Sequence, residues 1–187
     1  MSTQRGFTLV ETMVAVSIVA VSIVGPLYVL QKGVTASYTA RDRLIASSLA
    51  QEGLEYVRAI RDSNYLYAVA NPTIPRNWLW RLDGSTSNGV SSVNCTGGAA
   101  CIVDMYSDTI AVCATPTTCA PLRLSTVNYR YNNLTAGGTN PISRFTRSIT
   151  LTAGVAPQEM TVTSTVSWKT GQNTYSVTAT EILQNWL

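Results

Sequence analysis

The chain has 187 residues, the length of one domain or of a domain with an appendage. Only 12% of them are charged and the net charge is +3, too thin by itself to draw in nucleic acid. Histidine is absent, which excludes His-based triads, His metal ligands and His proton relays.

Thr12–Gln31 carries no charge and is long enough for roughly 30 Å of helix, the thickness of a bilayer core. A secretory signal would carry a shorter apolar core ending at a small-residue cleavage site. This run is longer, begins close to Met1 and flows into a polar helix. A plain signal anchor fits the length but leaves Glu11 unexplained, because an intramembrane carboxylate is costly and ordinarily has a partner.

Arg5-Gly6-Phe7-Thr8-Leu9-Val10-Glu11 resembles the prepilin processing motif of type IV pilins and pseudopilins. The resemblance implies that a prepilin peptidase cuts after Gly6 and that Phe7 becomes a methylated N-terminus. Glu11 is then the fifth mature residue. The Phe7 amine then lies about one helical turn from it, where the helix N-terminus adds partial positive charge, and the amine of a neighbouring subunit is an equal alternative partner. Such a pair gains about 4 kcal/mol before desolvation at about 4 Å and an effective dielectric near 20. Only Arg5 precedes the span while Lys32, Arg41 and Arg43 follow it, so the positive-inside count favours the opposite orientation. The exported head is therefore implied by the resemblance, which requires the leader to meet a peptidase on the cytoplasmic side. Gly25-Pro26 interrupts the span: Pro26 offers no N–H to the carbonyl of Ser22, and a kink or local opening is expected there.

From Lys32 to Asp62 the pattern becomes amphipathic. Ala46, Leu49, Ala50, Gly53, Tyr56, Val57 and Ile60 recur at i, i+3, i+4, i+7 and predict one buried face. Glu55–Arg58 and Arg58–Asp62 stand at pairing distance, and Ser63-Asn64 reads as the stop. A helix from Phe7 to about Asp62 would be roughly 80 Å long. The run Ala50-Gln51-Glu52-Gly53-Leu54-Glu55-Tyr56-Val57-Arg58, ending Arg61-Asp62-Ser63-Asn64, resembles minor pilins of the PilV type, relatives of the I-type pseudopilins of type II secretion.

Turn-forming pairs punctuate the region 65–140: Asn71-Pro72, Ile74-Pro75, Asp83-Gly84, Asn88-Gly89, Gly97-Gly98 and Gly137-Gly138. Arg144–Thr152 reads as a strand. Met160, Val162, Val166 and Trp168 alternate, Lys169–Asn173 turns the chain, and Tyr175, Val177 and Ala179 alternate back, which predicts an antiparallel hairpin. That hairpin and the closing Asn185-Trp186 also resemble the PilV-type ending. The fold expected is α+β and type IV pilin-like: a long N-terminal α-helix, transmembrane in its first half, on an antiparallel β-sheet head. The expected division is a leader 1–6, a transmembrane and filament-core segment 7–31, an amphipathic half 32–63 and an exported head 64–187. Within the head lie a variable disulfide region 84–123 and C-terminal strands at about 144–183.

Cys95, Cys101, Cys113 and Cys119 form an even set, and two disulfides are expected in an exported head. Their spacing does not match structural zinc sites. Local pairs, Cys95–Cys101 and Cys113–Cys119, bracket Gly97-Gly98 and Pro116. A nested set, Cys95–Cys119 with Cys101–Cys113, competes through a hairpin around Ser107. Loop entropy does not separate them, at about 2.4 kcal/mol for a seven-residue loop against about 3.5 for twenty-five. The local set is preferred because the same Gly and Pro residues would interrupt a nested ladder.

Weaker patterns include Asp104 and Asp108 as calcium contacts, and Asn133-Leu134-Thr135 as a glycosylation acceptor. Arg123, Arg130, Arg144 and Arg147 with Tyr129 and Tyr131 are a nucleic-acid candidate, though scattered arginines on such strands more often form a solvated face. With Lys32 and Lys169 the only lysines, one beside the apolar run and one in a turn, no enzyme is expected; no cofactor or metal is expected either. The resemblance implies a minor pilin, a structural subunit of a type IV pilus or its priming complex. Its expected partners are the prepilin peptidase, other pilins through the N-terminal helix, and the bilayer before assembly. It is expected in the cytoplasmic membrane first and on the cell surface afterwards. The alternatives are a minor pseudopilin of a type II secretion or DNA-uptake filament, or a filament-tip adhesin or DNA receptor.

Overall fold

A computed structural model describes residues 6, 8–74, 76–113, 115, 119–133, 140–154 and 158–185. Residues 1–5, Phe7, Pro75, Pro116, Leu134-Thr135, Gly137-Gly138 and Trp186 lie outside the described residues. The chain divides into two units, Met1–Arg43 and Leu44–Leu187.

Helix α1 runs from Leu9 to Ala70. Its first part is apolar and exposed: the most hydropathic 18-residue window is 0% buried. The helix continues through Gly25-Pro26 without a break. Just upstream, the Ser22 hydroxyl donates to the carbonyl of Ile18 at 2.7 Å.

The second unit builds the head. All seven stripe positions from Ala46 to Ile60 are buried, as the 3.6-residue period requires. The helix runs past the expected stop at Ser63-Asn64 and ends at Ala70. The reason is tertiary. Asn64 is buried, and its side-chain amide donates to the carbonyls of Trp78 at 3.1 Å and Trp80 at 2.8 Å. It therefore ties down the following loop and leaves the helical backbone unbroken. Asn71 ends the helix instead: its backbone and side-chain N–H groups both donate to the carbonyl of Tyr67, and Pro72 follows.

The strands are β1 (Thr86–Ser87), β2 (Val90–Ser91), β3 (Ala100–Asp104), β4 (Thr109–Cys113), β5 (Arg123–Leu124), β6 (Tyr131–Asn132), β7 (Phe145–Ala153), β8 (Glu159–Thr170) and β9 (Asn173–Gln184). Five of them form one sheet in the order β4-β3-β7-β8-β9, antiparallel throughout. The predicted C-terminal hairpin is β8–β9, closed by Thr170↔Asn173 with Gly171 at φ 62°, the first-position glycine of a type II′ turn.

Phe145, Arg147, Ile149 and Leu151 on β7, with Val162, Ser164, Val166 and Trp168 on β8, are all buried. Period-2 alternation puts them on one face of the sheet. An aromatic row crosses the strands: Phe145 and Trp168 are register partners, as are Trp168 and Tyr175. Their ring centres are 5.9 and 5.7 Å apart, and Tyr131 meets Phe145 edge-on at 5.9 Å.

The disulfides are Cys95–Cys101 and Cys113–Cys119, with Cα separations of 5.6 and 4.9 Å. The competing hairpin also exists, as β3–β4, but one residue out of the register that a nested set needs. Cys101 faces Val112, and Cys113 faces Ala100. A one-residue slip turns the two cysteines to opposite faces of the sheet, so Cys101 and Cys113 cannot join. The first bridge is tied into the core: both cysteines are fully buried, and the carbonyl of Cys95 accepts the N–H of Leu151 at 3.1 Å.

Candidate functional site

Among the described residues, the start of α1 is a local design. Thr8 precedes the first helical residue, and its hydroxyl oxygen accepts the backbone N–H of Glu11 at 3.3 Å. Thr8-Leu9-Val10-Glu11 is thus half of a capping box, with Thr8 as the N-cap and Glu11 as its third residue. The S/T-x-x-E spacing was available in the sequence, yet the reading by resemblance passed over Thr8. A carboxylate in the first turn also faces the positive end of the helix dipole. Glu11 itself is exposed and its carboxylate has no partner among the described residues. Gly6 is exposed, with open space around its Cα.

Beyond Glu11 the exposed surface of the segment is almost wholly apolar, as at Val14, Ile18, Val21, Leu27 and Leu30. Its hydroxyls fold back on the helix: Thr12, Ser17 and Ser22 donate to carbonyls three or four residues earlier. These hydroxyls are therefore satisfied within the helix, as a helix surrounded by hydrocarbon requires.

Several of the other sequence candidates are used within the head itself. Arg147, expected on a solvated face with Arg123, Arg130 and Arg144, is 2% exposed. It donates to the carbonyls of Leu49 at 3.1 Å and Val103 at 2.8 Å and pairs with Glu52 at 3.2 Å. It pins α1 to the sheet and is out of reach of nucleic acid. Arg123 donates to the carbonyl of Asn140. Arg58 binds Glu55 as expected, but its other partner is Glu181 on β9, while Asp62 turns to Arg61.

Both calcium candidates are taken up by the protein. Asp104 is buried, accepting the N–H groups of Tyr106 and Ser107 on one oxygen and that of Asn133 on the other. Asp108 accepts the Tyr56 hydroxyl at 2.6 Å and Arg81 at 2.8 Å.

Burial, reinforced by the hydrogen bond to Asp108, pushes the Tyr56 phenol up to about 12. The Tyr56 hydroxyl and then Arg81 hold the Asp108 carboxyl below its ordinary value of 3.8. The folded state therefore favours neutral Tyr56 and ionised Asp108. The Tyr56 contribution is complete below the unfolded phenol value of 10.0 and is lost as pH climbs toward about 12. The Asp108 contribution is present above 3.8 and is lost as pH falls through its lower folded value. In an absorbance titration of the phenols, one tyrosine is expected to ionise about two units later than free phenol. That late step should vanish in Tyr56→Phe, with a stability loss of about 1 kcal/mol. A late step that survives the substitution would contradict the assignment.

Residues 1–25 match the family model of the prokaryotic N-terminal methylation motif. No curated protein and no solved structure matches the chain. The motif implies prepilin peptidase processing and assembly with other pilins. Set on one apolar helix long enough to cross a membrane, and followed by an α+β head of type IV pilin-like architecture, it indicates a prepilin-type, type IV pilin-like protein, anchored by a single pass with its head exposed.

Proposed function

We propose that this chain is a minor pilin, a structural subunit of a type IV pilus or of the complex that primes one. In this reading the leader is removed between Gly6 and Phe7, the new Phe7 amine is methylated, and Glu11 receives the amine of its own or a neighbouring subunit. The observation that carries the reading is an exposed apolar helix bearing one acidic side chain, Glu11, without a partner among the described residues. Lipid covers such a surface before assembly, and the same surface of other subunits covers it afterwards. An unpaired carboxylate in that setting costs several kcal/mol, so pairing supplies a register for the stack. The PilV-like run at 50–64 and the β8–β9 hairpin support the minor-pilin assignment. Gly25-Pro26 is the place where the helix would open on packing, since the carbonyl of Ser22 has no N–H from Pro26.

Two measurements test this. Intact mass and N-terminal analysis of protein extracted from cells with active peptidase should show a chain beginning at methylated Phe7; a retained Met1–Gly6 leader would sink the proposal. Glu11→Ala should insert into the membrane as well as wild type or better, because it removes a charge from the apolar segment. Its share of sheared filaments should fall by roughly tenfold or more. Equal incorporation would remove Glu11 from any register role.

A further inference from the structure

Between the end of α1 and the loop after it lies a cavity of about 360 Å³, lined by Tyr56, Ser63, Asn64, Arg76, Trp80 and Arg81 among others. Its frame is rigid. Asn64 holds the loop through two carbonyls, and Arg81 grips both the carboxylate and the backbone carbonyl of Asp108, at 2.8 and 2.7 Å. Arg81 and Asp108 are both non-glycine residues in the left-handed region, at φ 89° and 51°. Backbone in that state persists only where its surroundings over-determine it.

The charges in this frame do not balance. Two guanidinium groups and one carboxylate line the cavity, and Asp108 is already committed to Arg81 and Tyr56. The Arg76 guanidinium lies against two rings, its central carbon 3.3 Å from the ring centre of Tyr67 and 4.2 Å from that of Trp80. Stacking fixes its position and leaves its N–H groups to bond in its own plane. No acceptor among the described residues takes them. The Nε of Arg76 and the indole Nε1 of Trp80 are both buried without an acceptor. Unpaired buried donors are costly and rare in native proteins, and each calls for an explanation.

We propose that this cavity is a binding site for a small oxyanion, the carboxylate or phosphate group of a soluble ligand, held by the terminal N–H groups of Arg76 beside the Trp80 ring. The fixed guanidinium supplies charge and a planar fork of donors. The Trp80 ring lines the cavity beside it, and the volume admits a ligand of monosaccharide size. The site lies wholly in the head and does not depend on the filament reading.

The test is a titration of the full-length protein in zwitterionic detergent, following the indole N–H resonances by NMR. The probes are glucuronate, inorganic phosphate and neutral glucose, with sodium chloride holding the ionic strength constant. A saturable shift of the Trp80 indole with glucuronate, phosphate or both is expected, while the buried Trp168 indole stays in place. A response to glucuronate alone identifies a carboxylate site, and one to phosphate alone a phosphate site. Arg76→Gln should weaken binding by at least about tenfold. Arg76→Lys keeps the charge without the planar fork, should bind several-fold more weakly than wild type, and serves if the glutamine variant does not fold. The proposal is overturned by a Trp80 indole that does not move, by shifts that glucose or sodium chloride reproduces, or by undiminished binding in the folded Arg76 variants.

Discussion

Gly53→Leu is expected to destabilise the head by about 3 kcal/mol or more, the upper end for overpacking a filled core. Gly53 is buried on the helix face that meets the sheet. A Cβ there would stand 2.8 Å from Ile149 Cδ1, 2.8 Å from Ser164 Oγ and 3.2 Å from Arg147 Cδ. Ile149 and Ser164 are fully buried, so neither end can move aside freely. Gly53→Ala sets two terms against each other. Alanine gains up to about 1 kcal/mol in helix propensity, while the clash costs about 1–3 kcal/mol. The net effect should be a smaller loss. Adding Ser164→Ala, which removes one of the two closest atoms, should recover part of it. Denaturant unfolding of the detergent-solubilised chain, followed by the near-ultraviolet signal of the buried aromatics, measures all three. A neutral Gly53→Leu would show that the helix does not approach the sheet through this glycine.

Arg147→Ala is expected to cost about 3–5 kcal/mol, the range for a large-to-small change in a core, here with two carbonyls left without their donor. Three different anchors depend on that guanidinium: the carbonyl of Leu49 on α1, the carbonyl of Val103 on β3, and Glu52. Arg147→Met should cost clearly less, because it refills the volume and buries no charge. Glu52→Gln should cost only about 1 kcal/mol, because the carbonyls of Leu49 and Val103 still accept the Arg147 N–H groups when the counter-charge is gone. The order Ala, then Met, then Glu52→Gln, from most to least damaging, is the checkable outcome in the same unfolding assay. Equal losses for Arg147→Ala and Glu52→Gln would mean that the ion pair, and not the two carbonyl bonds, holds the helix down.

The sequence by itself determined what local periodicity and composition can carry. An uncharged run of bilayer length needs no partner to be recognised. The stripe from Ala46 to Ile60 is a property of one helix, and the β8–β9 hairpin is closed by its own glycine turn. The capping spacing of Thr8 and Glu11 is equally local. Only the tertiary structure decided how distant pieces share a surface. The helix outruns Asn64 because Trp78 and Trp80 offer carbonyls that its side chain can satisfy. The arginine on β7 becomes core because a helix carbonyl and a β3 carbonyl converge on it. The cysteine partners follow from a one-residue register between β3 and β4, which spacing alone leaves open. Arg76 reaches the rings of Tyr67 and Trp80 only after Asn71 ends the helix and the chain turns back. Each of these depends on which groups are left to satisfy one another once water is excluded, a condition that burial imposes and that no local pattern encodes.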